Sequence, residues 1–299
     1  MVSTHELAAM RRAIAISAHG LGATSPNPPV GCVVLDSEGR TVGEGYHVRK
    51  GDAHAEVNAL AAAGKLADGG TAVVTLEPCN HYGRTPPCRE ALLNANVARV
   101  LIAVMDPTSR GEGGAALLRK AGVEVEQGVL RDEALLVLCP WLDSLTRNRP
   151  FITWVYDATP DGGPALGEGV GPARKEAEAL RDSYDLLIQP SGDVSEGRPG
   201  GHGNGVFHVP GVLKGSSADA VEILRESGAR SVVLTGWSER AASLAEHGFV
   251  DQVIVYLPDT PHSRAPEETP GRASAVPDGY QLTAVDRLGD CVRLAARRG

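Results

Sequence analysis

Short apolar runs alternate with helix-forming stretches through the first half of the chain, and most runs end on a turn signal. Residues 30–35 (VGCVVL) read as a strand closed by the turn Asp36-Ser37-Glu38-Gly39, and residues 41–46 return as the second strand of a hairpin. Residues 53–63 (AHAEVNALAAA) are strong helix formers that stop at Gly64. A buried-type strand at 71–76, a helix at 88–96, a strand at 100–104, a helix at 114–121 and a short strand at 123–125 follow. Ahead of them, Leu7, Met10, Ile14 and His19 fall near helical spacing and predict an amphipathic N-terminal helix. Strand–helix–strand alternation of this kind predicts an α/β layered domain with parallel strand pairs.

The pattern loosens after residues 145–151 (LTRNRPF), a polar stretch with a proline that suits a domain junction. Two domains are expected, 1–146 and 147–299. In the second, strands are predicted at 151–156, 185–188, 231–234 and 253–257, with a helix around 174–181. Between them, residues 161–172 and 196–205 are rich in Gly and Pro, and 258–279 in Pro, Ser, Glu and Asp, so these read as loops or disorder.

Composition narrows the function classes. The 299 residues carry a formal net charge of −8, which weighs against a polyanion as the main partner while allowing a local basic pocket for one phosphate. No apolar run approaches the roughly 18 residues that span a bilayer, and the N-terminus lacks a signal-peptide pattern. A cytoplasmic protein is expected, with neither nucleic acid nor membrane as partner. The five cysteines, Cys32, Cys79, Cys88, Cys139 and Cys291, are scattered, so metal ligation or buried thiols are more natural than a disulfide framework.

Two segments carry chemistry: Gly51-Asp-Ala-His54-Ala-Glu56 and Glu77-Pro78-Cys79-Asn-His-Tyr-Gly-Arg-Thr-Pro-Pro-Cys88. One imidazole and two thiolates from His54, Cys79 and Cys88 give three ligands for a tetrahedral Zn²⁺, one per chain, with the fourth position open to water. Such an ion would lower the pKa of that water toward roughly 7. Glu56, two residues after His54, can sit beside the metal without binding it and carry protons from water to a ring nitrogen and a departing amine. The spacing is that of nucleobase deaminases, H-x-E…P-C-x-x-C, except that Cys88 follows Cys79 after eight intervening residues rather than two.

That longer insert, TLEPCNHYGRTPPC at 75–88, resembles the deaminase half of the bifunctional riboflavin-biosynthesis deaminase–reductase. PNPPVG at 26–31, VGEGYH at 42–47, HAEVNAL at 54–60 and Asp106-Pro107 agree in order, and the resemblance covers about residues 5–140. It implies a cytidine-deaminase-like α/β/α domain acting on 2,5-diamino-6-(5-phosphoribosylamino)-4(3H)-pyrimidinone, a phosphorylated amino-pyrimidine. It also implies that Asn27 and His47 hold the pyrimidine edge, that His81 and Arg84 address the ribose phosphate, and that Asp106 orients substrate or a neighbouring loop. Arg84 stands where the family more often has lysine, and either cation suits phosphate. The loop after Asp106-Pro107, Thr108-Ser-Arg-Gly-Glu-Gly-Gly114, departs from the family's usual one.

The second half opens like the family's reductase domain, which resembles dihydrofolate reductase, with Arg149-Pro-Phe-Ile-Thr153. Beyond that the family's functional positions are lost. Its first-strand lysine falls at Val155, and its Asp-Gly-Lys reads Asp161-Gly162-Gly163. Its Gly-x-Gly-Thr turn aligns with Pro190-Ser191-Gly192-Asp193, which removes an N–H and adds a negative charge where a phosphate would lie. Its Glu-Gly-Gly becomes Thr235-Gly236-Trp237. A degenerate α/β reductase-like domain without NADPH is therefore expected, kept as scaffold or for self-association. His202 and His208 read as solvent-exposed loop residues, and Gly111-Glu-Gly-Gly114 lacks the context of a dinucleotide loop. Rival readings stand beside the riboflavin-pathway deaminase: a deaminase of a related amino-pyrimidine in specialised metabolism, a bifunctional enzyme that keeps both activities, and a non-catalytic scaffold or binding protein. A nucleic-acid-editing deaminase is disfavoured by the acidic chain.

Overall fold

The computed structural model describes residues 1–299 except 83–85, 166–170, 202–207 and 260–273. The chain forms two compact units, with the changeover between Cys139 and Pro140.

The first unit is built on five strands, β1 (Gly31–Leu35), β2 (Thr41–Tyr46), β3 (Thr71–Leu76), β4 (Arg99–Val104) and β5 (Glu124–Gln127), in the order β2-β1-β3-β4-β5. β1 runs antiparallel to β2 and β3, whereas β3, β4 and β5 are parallel. Every residue of β1 is buried, as are all but the first of β3 and of β4, which explains their unbroken apolar runs. One face carries α2 (Ala55–Ala63), α3 (Cys88–Asn94) and α4 (Gly113–Lys120), packed through Cys32, Val34, Val74 and Ile102 onto Ala59, Leu92 and Leu118. α1 (Thr4–Ser17) packs on β1 and β3, and an Arg11–Glu133 ion pair of 2.9 Å joins it to α5 (Arg131–Arg147). The α/β/α layering expected from the sequence is thus observed.

The buried stripe of α1 is Glu6, Ala9, Met10, Ala13, Ile16 and Ser17, not the expected line through Leu7 and Ile14. His19 falls outside α1, in a 3₁₀ turn, and is exposed. Small residues at 9 and 13 let the helix approach the sheet, so its centre of burial rotates away from Leu7 and Ile14. α5 was not anticipated at all, because Pro140 lies inside it and reads as a breaker. The helix runs through the expected junction at 146/147.

The second unit holds a seven-stranded sheet in the order β11-β12-β10-β6-β9-β7-β8. Its strands are β6 (Phe151–Asp157), β7 (Leu186–Ile188), β8 (Val194–Glu196), β9 (Ser231–Thr235), β10 (Gln252–Pro258), β11 (Tyr280–Leu288) and β12 (Cys291–Arg298). The four central strands β10, β6, β9 and β7 are parallel, and the flanking pairs are antiparallel. Alternate residues of β6 serve opposite faces. Ile152, Trp154 and Tyr156 join a core with Leu224 of α7 (Ser217–Glu226) and Leu244 of α8 (Glu239–Glu246), while Val155 packs with Ala173 and Ala177 of α6 (Pro172–Arg181). β8, α7, α8, β11 and β12 lie in stretches where no element was predicted. Among the described residues, no helix is long and apolar enough to cross a membrane.

Candidate active site

The site in the first unit forms where two helices begin beside the end of β3. His54 is the N-cap of α2, with extended backbone (φ −71°, ψ 164°), so Glu56 falls in the first turn. α2 lies directly on β2 because Gly43 and Gly45 have no side chains. A Cβ at Gly45 would sit 2.4 Å from Ala59 N, and one at Gly43 2.2 Å from Ala59 O. Cys88 is the first residue of α3, after Pro87, and Cys79 follows β3 by three residues.

These elements bring His54, Cys79 and Cys88 together with their ligand atoms all within 4.8 Å of one another. His54 Nδ1 lies 3.1 Å from Cys88 Sγ and 3.6 Å from Cys79 Sγ. Ligands of a tetrahedral zinc, at about 2.0 Å for nitrogen and 2.3 Å for sulfur, stand roughly 3.5 Å apart, so the donor set and its spacing fit that ion. The backbone N–H of Cys88 donates to Cys79 Sγ at 3.2 Å, a contact that favours a thiolate.

The electrostatics already favour an anion here. Cys79 is drawn down to about 4, first by the Cys88 thiol that donates to it and then by His54 and the Cys88 N–H, against the opposing cost of burial. Cys88 is raised in turn, because the pair holds one proton between two sulfurs and because it is buried. Hydrogen bonding to Cys79 raises His54. Glu56 is buried, and desolvation, helped by the negative Cys79, pushes its carboxyl up to about 7.

His47 and Asn27 adjoin the cluster. The His47 ring is buried and meets His54 edge-on, with centroids 5.2 Å apart. Its Nδ1 lies 3.2 Å from Ala53 O, and its Nε2 lies 3.3 Å from Asn27 Nδ2. Burial lowers its pKa and so favours the neutral ring, of which one tautomer would satisfy both partners, Nδ1–H donating to Ala53 O and Nε2 accepting from Asn27. Asp106, half-buried after β4, accepts from the N–H and hydroxyl of Thr108, each at 2.7 Å. His81 is exposed, and Arg84 lies outside the described residues.

Sequence reasoning missed Glu77. Its carboxylate is buried at the end of β3 and accepts from Ala115 N at 3.0 Å and Asp106 N at 3.3 Å. No spacing rule announces it, since both partners are backbone amides more than 25 residues away.

In the second unit, Pro190, Ser191 and Gly192 form a tight turn joining β7 to β8, closed by Gln189 N donating to Asp193 O at 2.9 Å. The Ser191 hydroxyl donates to Asp193 Oδ2 at 2.7 Å. Trp237, just after β9, borders two clefts. One, of about 410 Å³, includes Asp157, Arg174, Gln189 and Pro190; the other, of about 470 Å³, includes Trp154 and Tyr156.

Residues 3–104 match the family model described as the cytidine and deoxycytidylate deaminase zinc-binding region. The N-terminal half is a cytidine-deaminase-like domain. The riboflavin biosynthesis protein RibD of Escherichia coli is 41% identical over 192 residues, covering 62% of this chain and 52% of its own length. That of Mycobacterium tuberculosis is 47% identical over 193 residues, covering 62% and 57%. The chain thus spans about half the length of the curated relatives it matches. Structural likeness reaches further than sequence. A diaminohydroxyphosphoribosylaminopyrimidine deaminase/5-amino-6-(5-phosphoribosylamino)uracil reductase from Thermotoga maritima superposes with a TM-score of 0.80 at 25% identity, covering 99% of each chain. Acinetobacter baumannii RibD gives 0.76 at 26% identity, also over 99% of each. The second unit therefore shares the overall build of the corresponding part of these two proteins.

Proposed function

We propose that this chain is a zinc-dependent hydrolase that deaminates 2,5-diamino-6-(5-phosphoribosylamino)-4(3H)-pyrimidinone, a step of riboflavin biosynthesis, and that it does not carry out the following reduction. The observation that carries the reading is the convergence of His54, Cys79 and Cys88 beside buried Glu56, within a domain that matches the deaminase zinc-binding region. The names of the similar proteins supply the substrate class.

His54 Nδ1 and the two thiolates hold the metal, which when bound supplies Lewis-acid activation of water at neutral pH. Hydrolytic deamination adds water at the amino-bearing carbon and releases ammonia, so protons must reach a ring nitrogen and then the leaving nitrogen. Glu56 does this: its carboxylate takes the proton from the attacking water and delivers it to the ring, then to the amine. Burial raises this carboxyl to about 7 in the metal-free protein, and a bound cation would draw it back toward the carboxylate that accepts the proton. His47 and Asn27 hold the pyrimidine edge, Asp106 orients the substrate or its loop, and His81 and Arg84 address the phosphate.

Three features of the second unit support the absence of reduction. The turn at 190–193 is closed on itself, with Asp193 adding negative charge where the phosphates of a dinucleotide would approach. Val155 stands buried where the family's first-strand lysine falls. The indole of Trp237 stands between two clefts at the ends of the parallel strands. Zinc-loaded protein should release ammonia from the diamino phosphoribosyl-pyrimidinone; zinc-loaded protein inert toward that compound but active on another amino-pyrimidine would move the reading to the rival substrate.

A further inference from the structure

The turn that carries Cys79 and the loop that follows β4 are bound together by contacts that the chemistry above does not use. Glu77 Oε1 accepts from Ala115 N in the first turn of α4, and Oε2 accepts from Asp106 N at the start of the loop. One buried carboxylate thus satisfies a free amide at a helix N-terminus and also fixes the backbone of Asp106. Asn80, on the other side of Cys79, donates from Nδ2 to Arg110 O at 3.3 Å.

The glycine pair that opens α4 has its explanation here. A Cβ at Gly114 would lie 1.9 Å from Pro78 O, and one at Gly113 would lie 2.5 Å from Glu77 Oε1. Gly113 also has φ +81°, a backbone that other residues rarely adopt. The start of α4 is therefore seated on the Glu77-Pro78 peptide itself, and only glycine permits that approach. Residues 107–112, between the two anchored ends, are exposed apart from half-buried Ser109.

We infer that Glu77 is a positioning residue: it locks both ends of the loop 106–113 to the turn bearing Cys79, and so holds that loop in register with the metal ligands for substrate binding. This rests on the deaminase reading only for its consequence in catalysis; the locking itself is a property of the fold. Glu77→Gln replaces one accepting oxygen with an amide NH₂ that faces a backbone N–H, so one of the two anchors is lost.

The test is amide hydrogen exchange on zinc-loaded wild-type and Glu77→Gln protein, with zinc content and steady-state kinetics measured on the same preparations. The inference expects exchange to rise at least about tenfold at whichever of Asp106 and Ala115 loses its acceptor, while amides in β1 and α2 keep their rates. Zinc stays at the wild-type level, and KM rises about tenfold with kcat changed less than about threefold. Unchanged protection at Asp106 and Ala115 would overturn it, as would protection lost equally in β1 and α2, or an unchanged KM. Should Glu77→Gln fail to fold, Gly114→Ala pushes α4 from the same turn with Glu77 intact, and must show the same local exchange and KM shift. If wild-type protein deaminates nothing, the functional reading fails, while the exchange experiment still decides the locking.

Discussion

Both units place parallel strands at the middle of a sheet, yet they treat the carboxyl ends of those strands in opposite ways. Such ends are the usual place for a site in an open α/β sheet. In the first unit, the end of β3 leads into Glu77-Pro78-Cys79, and the starts of α2 and α3 bring His54, Glu56 and Cys88 to it. In the second unit, the end of β7 folds straight back into β8, and the end of β9 continues into Gly236-Trp237. A layered sheet thus supplies a location, while the residues that follow each strand decide whether chemistry is done there. Sequence and structural likeness also differ in reach: identity of 41–47% covers 62% of the chain, whereas the fold is matched over 99%. A core tolerates exchange of one apolar side chain for another far more readily than a site tolerates loss of its ligands.

The sharpest way to break this contrast is to remove the proton carrier. Glu56→Gln should retain zinc and lower kcat by about 10³-fold. A variant that keeps near-normal turnover would show that Glu56 does not move the proton. Next in size, Arg84→Ala should lower kcat/KM for the phosphorylated substrate by about 10- to 100-fold, the value of one charge-assisted hydrogen bond. The same substitution should leave a dephosphorylated analogue nearly unaffected, and equal loss with both compounds would remove the phosphate contact.

A third prediction concerns pH and the metal-free protein. The folded pKa of Glu56 is raised from 4.5 to about 7, so its protonated form is the one that folding favours. Its contribution is full below about pH 4.5 and is lost as pH rises through about 7. Relative to Glu56→Gln, chelator-treated wild type should lose up to about 3 kcal/mol between pH 4.5 and 8 in denaturant melts. Zinc should shrink this difference, because a cation favours the carboxylate. A difference that stays flat across the range would contradict the assignment.

The smallest effect belongs to the other unit. Trp237→Ala should cost about 1–3 kcal/mol of that unit's stability, through lost packing of a half-buried indole, and change deamination by less than about twofold. A large loss of deamination in a folded Trp237→Ala protein would mean that the second unit takes part in the reaction.

Legibility in the sequence followed the same division. β3 has the limits that its apolar run implied, and β1 and β4 differ by one residue, because strands buried on both faces leave unbroken Val, Leu and Ala runs, while β2 was legible as the return strand after the turn at 36–39. The convergence of His54, Cys79 and Cys88 was legible from His-x-Glu and Pro-Cys, since metal chemistry restricts residue type as well as spacing. Glu77, Gly43, Gly45 and Gly114 were not, because their roles lie in backbone contacts made across the fold. In the second unit, Ser216 and Asp219 form a capping box that could have announced α7, and Ser238 caps α8 by accepting from Ala241 N. β11 stayed hidden because it is an edge strand whose residues are largely exposed, so no apolar alternation marks it.

The most direct test of the account is mass spectrometry of the product formed when zinc-loaded protein is incubated with the diamino phosphoribosyl-pyrimidinone and NADPH together. The account predicts a single product in which the amino group has been replaced by oxygen, with ammonia released and NADPH intact. A product both deaminated and reduced, with matching loss of NADPH, would contradict it and restore the second unit as an enzyme.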